Sequence, residues 1–334
     1  MNPARFNTIP HMQSNLPPFI EDQLRLPLIV APMFLVSGPE MVVASCKAGV
    51  MGSFPSPNAR PLDQLEQWIQ QINDQLQQAK EGQPANSIAP WAINLVRHSS
   101  YPRRDAELEL VVKHKVPIVI TALGSPKGVV EAVHSYGGSV IADVNSVSFA
   151  RKAVESGVDG LILVSAGAGG HTGQISGFAF IDAVRQFWGG MLVLAGGIST
   201  GRGIRAAEVL GADLVAMGTR FIPVEESMAQ DGYRQMLIEA TCEDLILSNS
   251  VTGVYANWLK PSLIAAGYDL NNMRQPGTID LSDTKSPWRD TWSAGQGVGT
   301  ITKVESIQSL VDQLMSEYLE TFLTDNNQRT EVNG

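Results

Sequence analysis

Between residues 28 and 217 the chain repeats one pattern, a short aliphatic run and then a stretch in which apolar residues return every three or four positions. The runs at 28–31, 51–54, 92–96, 118–123, 140–144, 161–166, 192–195 and 214–217 are apolar throughout or nearly so, as strands buried on both faces are. The stretches between them carry helical stripes such as Leu62/Leu65/Ile69/Ile72/Leu76, Val147/Ala150/Val154 and Ile204/Ala207/Leu210. Glycines at 49, 157 and 211 fall where such helices should stop, in the manner of left-handed C-terminal caps. Eight strand–helix units in succession predict a (β/α)8 TIM barrel, whose site lies at the C-terminal ends of the strands. An open, doubly wound sheet is the alternative, since the same alternation can be laid flat.

The rhythm ends near residue 240. Residues 241–300 are rich in Asn, Ser, Trp, Tyr and Pro, with short helical stretches such as 256–266, and are expected to form an added subdomain or lid over the barrel mouth. The expected layout is an N-terminal arm (1–20) made irregular by Pro10, Pro17 and Pro18, a barrel (21–240), the added segment, a C-terminal helix (301–325) packed on the barrel, and a disordered polar tail (326–334). Trp258, Trp288 and Trp292 all fall in the added segment and are expected to hold it down.

Composition narrows the partners. With 334 residues, 44% hydrophobic and 17% charged, the chain can bury a barrel-sized core. A net charge of −9 argues against nucleic acid, and no apolar run reaches the roughly 18 residues of a membrane span. The first fifteen residues have no signal-peptide core, which leads to the expectation of a cytoplasmic protein. Cys46 and Cys242 stand far apart with no metal-ligand spacing, so no metal site is expected. Arg103-Arg104 and Lys113/Lys115 read as solvated helix faces. Nothing in the sequence chooses between monomer and homodimer.

Chemistry concentrates at strand ends. The sixth run leads through Ser165-Ala166-Gly167-Ala168-Gly169-Gly170 to His171, so a strand ends in residues without bulk and delivers an imidazole. Glycines there cost roughly 0.5–1 kcal/mol each relative to alanine in a regular element, and close approach of a ligand is the usual reason for them. After the seventh and eighth runs come Gly196-Gly197 and Gly218-Thr219, where barrels often hold a phosphate on backbone N–H groups. Pro32 ends the first run and turns Ala31 to Met33 towards the mouth, where Met33 could lie against a flat ring or serve the core. Asn94 puts an amide inside an apolar strand, and a buried amide needs partners. Arg220, next to the second phosphate turn, is expected in a salt bridge.

The ordered set Ala31-Pro32-Met33, Asn94-Leu95, Val119-Ile120-Thr121, Asp143-Val144, Ala168-Gly169-Gly170-His171, Ala195-Gly196-Gly197-Ile198, Met217-Gly218-Thr219-Arg220-Phe221 and Ser293-Ala294-Gly295-Gln296-Gly297 resembles the nitronate monooxygenase family over about residues 22 to 320. The resemblance implies an FMN-binding barrel that oxidises alkyl nitronates, and nitroalkanes in their neutral form, with O2. It implies His171 as the active-site residue, phosphate at Gly197, Gly218 and Thr219, and cofactor contacts at Ala31, Pro32, Met33, Asn94, Thr121, Asp143, Gly169, Gly170, Gly196 and Gln296. Two positions depart from relatives: Gly167 stands where many members have glutamate, and Asp143 where some reductases have lysine. The alternatives are an FMN-dependent NAD(P)H reductase of an enoyl thioester, enone or quinone, and a non-catalytic barrel that senses a phosphate ligand.

Overall fold

All eight aliphatic runs form strands of one parallel sheet. The computed structural model describes residues 14–332 apart from 83, 85, 86 and 274–286. In chain order the elements are α1 (Pro18–Glu21), β1 (Leu28–Val30), α2 (Pro39–Ala48), β2 (Gly52–Pro55), α3 (Leu62–Lys80), β3 (Trp91–Val96), α4 (Arg104–Lys113), β4 (Ile118–Ala122), α5 (Lys127–His134), β5 (Ser139–Val144), α6 (Val147–Glu155), β6 (Gly160–Val164), β7 (Gly170–His171), α7 (Gly177–Arg185), β8 (Met191–Ala195), α8 (Gly201–Val209), β9 (Leu214–Met217), α9 (Asp231–Glu239), β10 (Leu245–Ser248), β11 (Ala256–Leu259), α10 (Lys260–Ala265) and α11 (Ile307–Val332). The strand order is β1-β9-β8-β6-β5-β4-β3-β2. The first and last strands meet as well: Val30 N–H donates to Met51 O (2.8 Å) and Met51 N–H to Leu28 O (3.0 Å). The sheet is therefore a closed barrel, which sets the open-sheet alternative aside.

Register sorts the strand residues into two faces. Phe54 is paired with Ile93, and its ring meets Trp68 of α3 and Trp91, so this face looks outward to the helices. Leu95, Thr121 and Ala142 share that face by register. The alternate residues, among them Asn94, Ile120, Ile141, Ile162 and Val193, fill the barrel interior. At the C-terminal end of the interior, Ala31, Val96, Ala122, Asp143, Val164 and Ala195 are only half-buried. Small side chains there leave a shallow mouth.

A second sheet sits at that mouth. Its order is β10-β11-β7, antiparallel throughout, with Ala256 opposite His171 and Asn257 opposite Gly170. The helix expected over 256–266 is thus half strand. Pro261 begins α10 in its first turn, while the four residues before Lys260 form β11 and bury Trp258 completely. Trp292 stacks on Tyr233 at 5.2 Å between ring centroids.

The ends differ from expectation in two respects. Pro17 and Pro18 start a helical turn, α1, which the expected irregular arm lacked; residues 1–13 lie outside the described residues. At the other end the backbone stays helical to Val332, because 324–332 contain no proline or glycine to stop it. α11 buries Ile307, Leu310, Val311, Leu314 and Tyr318. It lies so close to α8 that a Cβ on Gly201 would collide with the Leu314 carbonyl oxygen.

Arg103 is not the solvated residue the sequence suggests. It pairs with Glu107 (3.0 Å), whose side chain is fully buried and also accepts from Ser56 Oγ (2.6 Å) and Tyr101 OH (2.7 Å). A carboxylate taken out of water needs such partners. The network ties the loop after β2 to the loop after β3.

Candidate functional site

Four loops converge at the C-terminal mouth and are locked together by glycines and their backbone. Gly295 N–H donates to Thr219 Oγ1 (2.8 Å), and Gln296 N–H donates to Gly167 O (2.9 Å). Ser165 N–H and Oγ both donate to Ala195 O (2.9 and 2.8 Å), joining the loop after β6 to the end of β8. A Cβ on Gly169 would stand 2.6 Å from Gly295 N and 2.8 Å from Ala294 C, so only glycine lets the loop after β6 meet the late Ser-Ala-Gly-Gln-Gly loop. Met33 comes into the same group, its Sδ 3.5 Å from where a Gly218 Cβ would be.

The anion-binding capacity of these loops lies in the turns. Glu317 of α11 accepts the Gly201 N–H (2.8 Å), so the first turn of α8 already has a carboxylate. By contrast, the N–H groups of Gly197, Gly218 and Thr219 have no acceptor among the described residues. Gly197 is exposed, with φ +72° and nothing closer than 3.9 Å to the position a Cβ would take. Unpaired N–H groups in such turns are donors that an anion can take. Arg220 does not reach it: its guanidinium is buried against Glu305 (3.2 Å), the expected salt bridge.

His171 closes β7 two residues after Gly169, where a Cβ would stand 3.1 Å from Thr219 Oγ1. Its Nε2 is buried and has no hydrogen-bond partner among the described residues. Burial holds the imidazole below its ordinary range, so it is neutral at pH 7. The ring stands edge-on to Trp288 (centroids 5.4 Å apart, planes at 80°), and Trp288 stacks on Trp258 at 4.4 Å. Trp288 therefore does more than hold the added segment down; it walls the imidazole.

Asn94, midway along β3, and Asp143, near the end of β5, both face the barrel interior. Asn94 Nδ2 donates to Ile120 O at 3.3 Å. The Asp143 carboxyl has no hydrogen-bond or ion-pair partner among the described residues, and burial pushes it up to about 7. Thr121 is the exception to the expected set: register turns it towards the helices, where its hydroxyl is buried without a partner. Ala31, Pro32, Gly170, Gly196 and Gln296 stand on the converging loops, with Gln296 exposed at their rim.

Asn257 was not singled out by the sequence, although an amide inside Ala-Asn-Trp-Leu gives the same signal as Asn94. Its Nδ2 donates to Ala166 O (3.0 Å) and Ala168 O (2.7 Å), pinning the glycine loop from the second sheet. Tyr233, also missed in the sequence, donates from its hydroxyl to Ser293 O (2.5 Å) and so fixes the opposite loop.

Comparison with known proteins identifies the family. Residues 19–317 match the model of a family described as nitronate monooxygenase. A probable nitronate monooxygenase of Bacillus subtilis is 26% identical over 340 residues, covering 88% of this chain and 96% of that protein. An indene-carboxyl-CoA dehydrogenase of Rhodococcus jostii is 26% identical over 249 residues, covering 74% of this chain; the chain spans 66% of that relative's length. Among solved structures, a nitroalkane oxidase of Streptomyces ansochromogenes superposes with a TM-score of 0.73 at 21% identity, covering 92% of this chain and 99% of that one. At that identity the likeness shows the fold. Among the described residues no helix is long and apolar enough to cross a membrane.

Proposed function

This chain belongs to the nitronate monooxygenase family, and from that premise we propose that it is an FMN-dependent enzyme oxidising alkyl nitronates with O2 to a carbonyl compound and nitrite. The reading is carried by the buried, unpartnered Nε2 of a neutral His171, together with the unpaired backbone N–H groups of the turns after β8 and β9. Both features fit a flavin mononucleotide. Gly197, Gly218 and Thr219 would hold its phosphate, with Gly196 shaping the turn. Ala31, Pro32, Met33, Asn94, Asp143, Gly169, Gly170 and Gln296 would border the ring system and its chain. A bound FMN supplies the electron acceptor for the electron-rich nitronate, whose reaction with O2 then gives the products.

The protein's part is position and proton control. A nitronate oxygen placed at Nε2 is oriented by a hydrogen bond when that nitrogen carries the proton. When a neutral nitroalkane binds, the same nitrogen as acceptor takes the α-proton, a service typically worth 10²–10⁴-fold in rate. Trp288 shields the imidazole from water on one side and keeps it uncharged. Asp143, whose carboxyl is pushed up to about 7 by burial, sets the charge that an anionic substrate meets. The second sheet, through Asn257, holds the loop carrying these groups and serves as the lid of the proposed site.

A second reading, an FMN-dependent NAD(P)H reductase of an enoyl thioester, enone or quinone, draws on the 26% identity to a protein named as a carboxyl-CoA dehydrogenase. His171→Ala tests the first: FMN content should be kept and nitroalkane turnover lost. Unchanged steady-state rates with both nitronate and nitroalkane would remove His171 from the reaction.

A further inference from the structure

A cleft of about 450 Å³ opens beside the site, lined by Leu35, Arg60, Met228, Gln230 and Arg289. Its walls belong to segments that also border the site. Leu35 follows Met33 in the loop after β1, and Arg289 follows Trp288, whose ring stands against His171.

The two arginines stand apart from the others. Arg25, Arg97, Arg103, Arg104, Arg185, Arg205, Arg220 and Arg234 are in ion pairs, and Arg151 lies over the Phe187 ring. Among the described residues up to Arg289, only Arg60, Arg202 and Arg289 have neither kind of partner, and two of these three line one cleft. The chain has a net charge of −9, so acidic side chains are plentiful, yet none among the described residues pairs with these two arginines. Asp231, next to Gln230 in sequence, is paired with Arg234, and Asp290 makes no ion pair with either cleft arginine.

Their backbones are anchored, while their guanidinium heads have no hydrogen-bond or ion-pair partner among the described residues. Arg103 donates to the carbonyls of Arg60 and Ala59 and is itself held by the buried Glu107. Across the cleft, Gln230 Nε2 and Trp292 Nε1 donate to Arg289 O (3.0 and 3.3 Å). The wall between them is preset as well. Leu35 has φ +61°, and its N–H donates to Asn58 Oδ1 (2.8 Å), while Asn58 Nδ2 donates to the carbonyls of Met33 (3.0 Å) and Ser37 (2.7 Å). A leucine keeps a left-handed backbone only where its surroundings impose it, and such residues gather at ligand clamps.

We propose that this cleft is a binding site for a phosphate or pyrophosphate group, with Arg60 and Arg289 as its two cationic jaws. Planar guanidinium forks match phosphate oxygens in bidentate geometry. On the nitronate reading the group is the phosphorylated tail of the molecule turned over at His171; on the second, reductase reading it is that of a pyridine dinucleotide reductant. That link to turnover rests on the reading of the preceding subsection; the binding of phosphate does not.

Calorimetric titration of the purified holoenzyme with inorganic pyrophosphate tests the site without any turnover. Wild type should bind saturably, and more weakly as salt is raised. Arg60→Gln and Arg289→Gln should each weaken binding about tenfold or more, the scale of a charge-assisted hydrogen bond. Arg202→Gln, the third unpaired arginine, should bind as wild type does. All three side chains are on the surface, so unchanged melting temperatures are expected. No binding to wild type, or equal affinity in the Arg60→Gln/Arg289→Gln double variant, overturns the site. Competition sorts the source: displacement of pyrophosphate by NADPH names the reductant, and displacement by a phosphorylated alkyl nitronate names the substrate tail. Displacement by neither overturns the assignment to the substrate side.

Discussion

The amide of Asn257 donates to the carbonyl oxygens of Ala166 and Ala168, at 3.0 and 2.7 Å. One side chain of the second sheet thereby fixes the loop that carries His171. Replacing it with leucine strands two carbonyls, at a cost of about 1–3 kcal/mol. Asn257→Asp should be worse, since an acceptor-only carboxylate then faces two acceptors. Urea midpoints measure this; an aspartate variant as stable as wild type would mean that the amide contributes nothing.

Asp143 gives the activity a pH signature. Its carboxyl titrates at about 7 in the folded chain, against roughly 3.9 in an unfolded one. Between these values the folded state holds the extra proton, so stability from this group is full below about pH 4 and lost as pH rises towards 7. An ionised Asp143 also repels an anionic nitronate. KM for propyl-2-nitronate should therefore rise above about pH 7 in wild type and stay flat across that range in Asp143→Asn, with stability in the variant losing the same slope. Superimposable profiles would separate Asp143 from the substrate.

Gly169 and Gly197 should fail differently. At Gly169 an added methyl meets backbone atoms at 2.6 and 2.8 Å, so Gly169→Ala must push the Gly295 loop away and lower the melting temperature. At Gly197 the methyl enters open space but the backbone has φ +72°, a strain of roughly 1–2 kcal/mol. Gly197→Ala should consequently fold, melt slightly lower and bind FMN poorly, because its methyl stands beside the free N–H groups. Flavin content after dialysis reads this directly; full retention would move the phosphate elsewhere.

The strands were legible because each is an aliphatic run bounded by glycine, proline or serine, and the eightfold repeat left few architectures. The glycine loop to His171 and the paired turns after β8 and β9 were legible for the same reason, since they lack bulk where an element would need it. Thr121 was misplaced because a strand buried on both faces is apolar on both, and the residues alone do not say which side looks inward. The strand 256–259 was hidden because four mostly apolar residues before Lys-Pro have no period of their own; their partner, Gly170-His171, lies some 86 residues earlier and is itself only two residues long. Asn257, Tyr233 and Trp288 reach the site through such long-range contacts, whereas Glu107 meets Arg103 one helical turn away and draws in Ser56 from the loop after β2.

Anaerobic stopped-flow spectroscopy of the holoenzyme reads electron transfer from a nitronate to the bound flavin. Mixing with propyl-2-nitronate should give a one-electron flavin spectrum within the time of a turnover, and mixing with NADPH should leave the oxidised spectrum unchanged. Full two-electron bleaching by NADPH, with no change on adding the nitronate, would contradict the account and make this barrel a reductase.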